Sequence, residues 1–186
     1  MEKKHQPTTS LLNKEDCVLV VIDVQKKLVP VITGAEKAIE NIIKLVKLAK
    51  IINIPVVLTE QQNLGDTVDE IKSEIDELVP ISKITFSCFG LREFSDHISR
   101  LNRKTLILTG IESHICVTQT ALDAPAEYGI QVVSDAVASR APHNWKIALD
   151  RMQKGGATIT STEMLMYELL QKAGTDEFRA TLPLVK

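Results

Sequence analysis

Cysteine is scarce in this chain: the 186 residues hold three, Cys17, Cys88 and Cys116. An odd number in a chain large enough to fold without staples argues against a disulfide framework and for reduced thiols in a reducing compartment. Aromatic residues are few as well, four Phe, two Tyr and one Trp, which limits any pocket to a small and partly apolar one. Charge of one sign is missing, since 22 Lys and Arg face 24 Asp and Glu for a net charge of -2. Attraction to nucleic acid or to anionic lipid is therefore not expected. Long apolar runs are absent; the longest, Cys17 to Ile22, falls far short of the roughly 18 residues that a bilayer span needs. The start, Met1-Glu2-Lys3-Lys4, has lysines but no apolar segment behind them, so no secretory signal is read and the cytoplasm is the expected location. Neither GxGxxG nor GxxxxGK[ST] occurs, which leaves a nucleotide or dinucleotide cofactor without support.

What is present is ordinary globular material, 44% hydrophobic and 25% charged, with no repeat or linker, so residues 1–186 are read as one domain. Cys17 to Ile22 is a β-branched run of the kind buried on both faces of a parallel sheet. Between Ala35 and Ile52 the apolar positions Ala38, Ile42, Leu45, Ala49 and Ile52 recur at helical spacing, and Pro55 resets the chain before a second strand, Val56 to Glu60. A loop follows, with a helical turn or two through Val68, Ile71, Ile75 and Leu78. Next come a short strand or extended segment over Pro80 to Phe86 and a helix through Leu91, Phe94, Ile98 and Leu101. Thr105 to Gly110 reads as a strand, with a helix from there to about Glu127. Ile130 to Asp135 is the next strand, Pro142 to Lys154 a helix capped by Gly155, and Ala157 to Thr160 a last short strand. Thr160-Ser161-Thr162-Glu163 has the capping-box pattern for a helix to about Lys172, and Gly174 to Lys186 is read as a surface extension or intersubunit arm. Alternating strands and helices of these lengths predict an α/β fold: three layers, α/β/α, around a mostly parallel sheet whose ligand site lies outside the carboxyl ends of the strands.

Three ionisable residues fall at those ends: Asp23 closes the first strand, Lys83 sits in the third, and Cys116 follows the strand ending at Gly110. A thiol in the first turn of a helix can have its pKa depressed, a carboxylate can take and return its proton, and an ammonium can hold that carboxylate ionised. Taken singly each has a plain reading too: Cys116 as a small buried filler, Asp23 as a cap, Lys83 as a solvated surface charge.

The wording around all three at once favours the chemical reading. Leu11-Leu12-Asn13 through Val20-Val21-Ile22-Asp23-Val24-Gln25, then Lys83-Ile84-Thr85-Phe86-Ser87-Cys88-Phe89, then Gly110-Ile111-Glu112-Ser113-His114-Ile115-Cys116-Val117 resembles the isochorismatase-like cysteine hydrolases. The likeness continues through Val133 to Arg140 and Thr160 to Glu163, nearly the whole chain, and is closest to the metal-free, poorly characterised hydrolase branch. It implies a six-stranded sheet in the order 3-2-1-4-5-6, a catalytic triad of Asp23, Lys83 and Cys116, and a cis peptide at Ile111-Glu112. It also implies an oxyanion hole formed by the backbone N–H groups of Glu112 and Cys116, and a homo-oligomer. The implied activity is hydrolysis of a small amide or related acyl compound through a thioester; the alternative is a non-catalytic metabolite- or partner-binding protein on the same fold. Gln25, Glu60, Phe86, Phe89 and Ile115 are expected to line the substrate site. No metal is expected, because where nicotinamidases of the family carry Asp-x-His this chain reads Glu60-Gln61-Gln62-Asn63. His114 is taken as a pocket wall or interface residue, Cys88 as packing near the site and Cys17 as core. Neutral or singly charged amides are expected to be preferred over polyanions.

Overall fold

The computed structural model describes residues 10–75 and 79–185. Its centre is a six-stranded sheet of β1 (Cys17–Ile22), β2 (Val56–Gln61), β3 (Ile81–Lys83), β4 (Thr105–Ile111), β5 (Gly129–Ala138) and β6 (Thr158–Thr160). The strands lie in the order β3-β2-β1-β4-β5-β6, every pairing parallel, as the resemblance implied. The apolar run of β1 is explained by its place in the middle: Cys17, Leu19 and Val21 face one core, Val18, Val20 and Ile22 the other.

On the first face pack α1 (Ala35–Ile51) and, further along the chain, α6 (Thr162–Leu170) and α7 (Asp176–Val185). The opposite face is covered by α3 (Arg92–Arg100), α4 (Thr118–Asp123) and α5 (Pro142–Lys154), while a single turn, α2 (Asp69–Lys72), precedes β3. Among the described residues no helix is long and apolar enough to cross a membrane.

Several local expectations need correction. The segment after Gly174 is neither a surface extension nor a free arm: it forms α7, whose Phe178, Leu184 and Val185 pack on the first core, with Phe178 6.4 Å from the Tyr167 ring. The helix after β4 does not reach Glu127. It starts as a π-helical turn, Ser113–Val117, and ends at Asp123, two residues before Pro125. The third strand is shorter than Pro80 to Phe86 because the chain turns after Lys83 to bring carbonyls back onto its ammonium. At α6 the cap is Ser161, whose side chain accepts from Met164 N, so Glu163 is not at the reciprocal position of a capping box. Asp135 supplies the missing acceptor, taking the N–H and hydroxyl of Thr162. It can do so because β5 bulges: Leu108 pairs with Val132 but Gly110 pairs with Val137. Leu78 lies outside the described residues.

Gly110 explains how β1 and β4 close up at their carboxyl ends. It has φ of +117°, and a Cβ there would stand 2.0 Å from the Ile22 carbonyl oxygen, so no other residue fits. Asp23, immediately beyond β1, has φ of +54°, and the peptide Ile111-Glu112 is cis.

Candidate active site

The three strand ends bring Asp23, Lys83 and Cys116 together in one buried cluster, respectively 0%, 1% and 6% exposed. Lys83 Nζ donates to Asp23 Oδ2 at 2.6 Å and to Gln61 Oε1 at 2.9 Å. Its third hydrogen is shared by the carbonyls of Thr85 and Phe86 at 3.2 and 3.3 Å. The other carboxylate oxygen of Asp23 accepts from the Thr59 hydroxyl at 2.8 Å, and the Cys116 thiol stands close enough to this carboxylate to feel its charge. A fully buried ion pair costs desolvation unless its remaining donors and acceptors are met, and here they are.

Burial by itself would pull the Lys83 ammonium down, but Asp23, together with the two thiols Cys116 and Cys88, holds it above its ordinary range. Burial pushes the Cys116 thiol up, the Asp23 carboxylate adds to that, and Lys83 opposes without prevailing. The expected depression by a helix start is thus reversed. Cys116 is the fourth residue of an enclosed π-helical turn and stands beside an anion, so the resting group is a thiol.

The expected substrate-lining residues separate. Gln25 is fully buried and turned back on the chain: Nε2 donates to the Gln61 and Gly65 carbonyls and Oε1 accepts from Gln61 N, fastening the end of β2 beside the triad. Glu60 likewise accepts from the N–H and hydroxyl of Thr67, both at 2.7 Å. Phe89 packs edge-on to Phe94 at 5.2 Å in the second core. Phe86 is 53% exposed, with its carbonyl on Lys83, and Ile115 is half-buried next to the nucleophile. Thr59 and Gln61 were given no role by the sequence reading. Their alternation along β2 places both next to the Asp23–Lys83 pair, a signal visible only once the strand is known to lie beside β1.

Glu112 is 2% exposed, and its carboxylate is gripped by Arg140 and approached by His114 Nε2 at 3.5 Å. Two clefts, of about 290 and 350 Å³, open near the site, one beside Thr33, Ser139 and Trp145, the other beside Ser87, His114 and Arg151. Asp23, Lys83 and Cys116 line neither cleft, so the cluster meets solvent through the small exposed edge of the thiol. Among the described residues no group of three His, Cys, Asp or Glu side chains is disposed to hold a metal ion.

The three free thiols make stability depend on pH. Burial carries Cys17 up to about 12 and Cys88 up to about 11, from an ordinary 9.0, and Cys116 also rises. The unfolded chain therefore loses thiol protons at a pH where the folded chain keeps them, and stability must fall as pH climbs above about 9, by up to ~1.4 kcal/mol per unit for each thiol. Lys83 acts in the same direction, its contribution complete below 10.5 and lost as pH rises through its raised value. Urea midpoints at pH 8 and pH 10.5 should show a marked drop, smaller in Cys17→Ala. Equal midpoints at the two pH values would mean that the thiols ionise alike in both states.

Comparison with known proteins places the chain in a family. The isochorismatase domain model matches residues 17–164. A secreted isochorismatase effector, Isc1, of Phytophthora sojae is 37% identical over 177 residues, covering 91% of this chain and 84% of its own length. The solved structure of the MAR1 ribonuclease from Caenorhabditis elegans is similar at a TM-score of 0.86 and 30% identity, covering 95% of this chain and 92% of that one. The YcaC gene product of Escherichia coli, described as an octameric hydrolase of unknown specificity, shares the fold at a TM-score of 0.87 and 24% identity over 96% of this chain and 90% of its own.

Proposed function

Since the chain belongs to the isochorismatase-like cysteine hydrolase family, we propose that it hydrolyses a small amide or related acyl compound at Cys116, with Asp23 as the proton carrier and Lys83 as its fixed counter-charge. The observation that carries this reading is the buried Lys83–Asp23 ion pair with the Cys116 thiol beside it. Asp23 takes the thiol proton as Sγ attacks the carbonyl carbon, and the oxyanion is met by the backbone N–H groups of Glu112 and Cys116. The C–N bond breaks as Asp23 gives that proton to the departing amine, leaving a thioester. Water, losing a proton to the same carboxylate, attacks it; the C–S bond breaks and the thiol is re-formed. A resting thiol suits this sequence, because the proton leaves only as attack begins.

Ile115 and Phe86 are the expected residues within reach of a substrate, whereas Gln25 and Glu60 act by holding the loops around it. No metal and no cofactor enters this scheme. The similarity to an octameric hydrolase, with exposed Val79, Ile84 and Phe86 around the short edge strand β3, supports a homo-oligomer. Free, buried cysteines support a reducing compartment such as the cytoplasm. The near-neutral charge balance favours a small-molecule substrate over RNA, although one structural relative is described as a ribonuclease.

The thioester is the decisive species. Protein mixed with a panel of small amides and activated esters, quenched in acid and weighed intact, should carry one acyl group, mapped to Cys116. Turnover with no adduct on Cys116, or an adduct elsewhere, would replace the nucleophile; no turnover across the panel would leave the binding-protein reading.

A further inference from the structure

The segment Glu112–His114, which precedes the nucleophile, is tied side chain by side chain to Ser139 and Arg140 beyond the end of β5. Arg140 Nε lies 2.6 and 3.1 Å from the two Glu112 carboxylate oxygens, and Nη2 lies 2.5 Å from Oε1. The hydroxyls of Ser113 and Ser139 are hydrogen-bonded to each other, and His114 Nδ1 meets the same Ser139 oxygen at 3.0 Å. The far side of this brace is anchored in turn: Thr33 donates its N–H to the Ser139 carbonyl and its hydroxyl to the Arg140 carbonyl. The Glu112 carbonyl accepts from the N–H groups of Ile115 and Val117, so the residue that Arg140 grips is also built into the turn carrying Cys116.

Resting on the hydrolase reading above, we propose that Arg140 is a positioning residue for acyl transfer, which fixes and neutralises Glu112 so that its backbone N–H can stabilise the oxyanion. Two physical arguments converge. Arg140 is itself 55% exposed while the carboxylate it holds is 2% exposed, and its Nε–H is shared between both Glu112 oxygens with Nη2 beside Oε1, so what it fixes is the orientation and charge of a buried group. Moreover, Glu112 places a buried negative charge on the very residue whose N–H must meet a developing negative charge. Left unpaired, that carboxylate opposes the transition state electrostatically.

This separates two reactions of the same thiol. Acylation by p-nitrophenyl acetate forms the Sγ–C bond through an oxyanion before the C–O bond breaks and p-nitrophenolate leaves. Methyl methanethiosulfonate is attacked at sulfur, transfers its CH₃S group to Cys116 with loss of methanesulfinate, and forms no oxyanion. Arg140→Met should lower kcat for the ester about 10- to 100-fold with KM within about threefold, while the thiosulfonate rate stays within about twofold of wild type. Arg140→Lys should recover part of the loss, and Glu112→Gln added to Arg140→Met should recover part as well by removing the unpaired charge. Equal losses in both reactions would make Arg140 merely structural, and an undiminished ester rate would make it irrelevant; either overturns the proposal. A wild-type protein that reacts with the thiosulfonate but never with esters or amides would instead remove the hydrolase reading, and the proposal with it.

Discussion

Cys116→Ala should lower kcat on any amide that the protein turns over by on the order of 10⁵-fold or more, because the step that forms the thioester loses its nucleophile and nothing nearby replaces it. The fold should survive. The side chain removed is small, the neighbouring Asp23 carboxylate keeps Lys83 and Thr59, and the backbone of the π-helical turn does not depend on it. Unfolding midpoints close to wild type, measured on the same preparation, would place the loss in the chemistry. Cys116→Ser should fall nearly as far, since Asp23 would have to deprotonate an alcohol far less acidic than a thiol. A residual rate above about one hundredth of wild type in the alanine variant would mean that the thiol is a bystander and water the attacking group.

The second large effect is on stability. Lys83→Met keeps the length of the side chain but strands Asp23, 0% exposed, without its ammonium, and truncating one partner of a buried pair costs about 3 to 5 kcal/mol. The proton carrier also loses the counter-charge that holds it in place, so activity should fall together with stability. Asp23→Asn alone strands the ammonium and should be similarly damaging. The double replacement Asp23→Asn, Lys83→Met removes both charges and should regain most of the stability while remaining inactive. Denaturant unfolding of the four proteins checks this; a double variant no more stable than the worse single one would show that the pair is not what makes each single change costly.

The parts of this architecture that rest on short-range pattern were legible before the structure. Cys17 to Ile22 had to be a central strand because no half-exposed strand is so uniformly apolar, and Asp23 then had to sit at its carboxyl end. What escaped the reading lies in pairings made at a distance. Arg140 is 28 residues from Glu112, and they meet only because β4 and β5 run side by side. Gln25 and Glu60 stand next to strand ends and so resembled pocket lining, yet their side chains curl back to backbone groups that a sequence does not display. Helix α7 was hidden by the Gly174 that precedes it and the Pro183 within it; packing on α1 and α6 outweighs both. The rise of the Cys116 thiol was missed because helix position was read without the enclosure around it.

The all-parallel order β3-β2-β1-β4-β5-β6 also governs how the molecule comes into being. Parallel neighbours are joined by crossovers, so every ladder is non-local and loop closure precedes each reward. The first strand in sequence is one of the two innermost, with its partners beginning only at Val56 on one side and Thr105 on the other. Until β4 arrives, a strand made of nothing but apolar residues waits with an open edge, the kind of surface that invites sticking between chains and the attention of chaperones. The nucleophile follows β4 directly, so the reactive cluster comes together in the same event that conceals this edge, and an immature chain holds neither the site nor the protection.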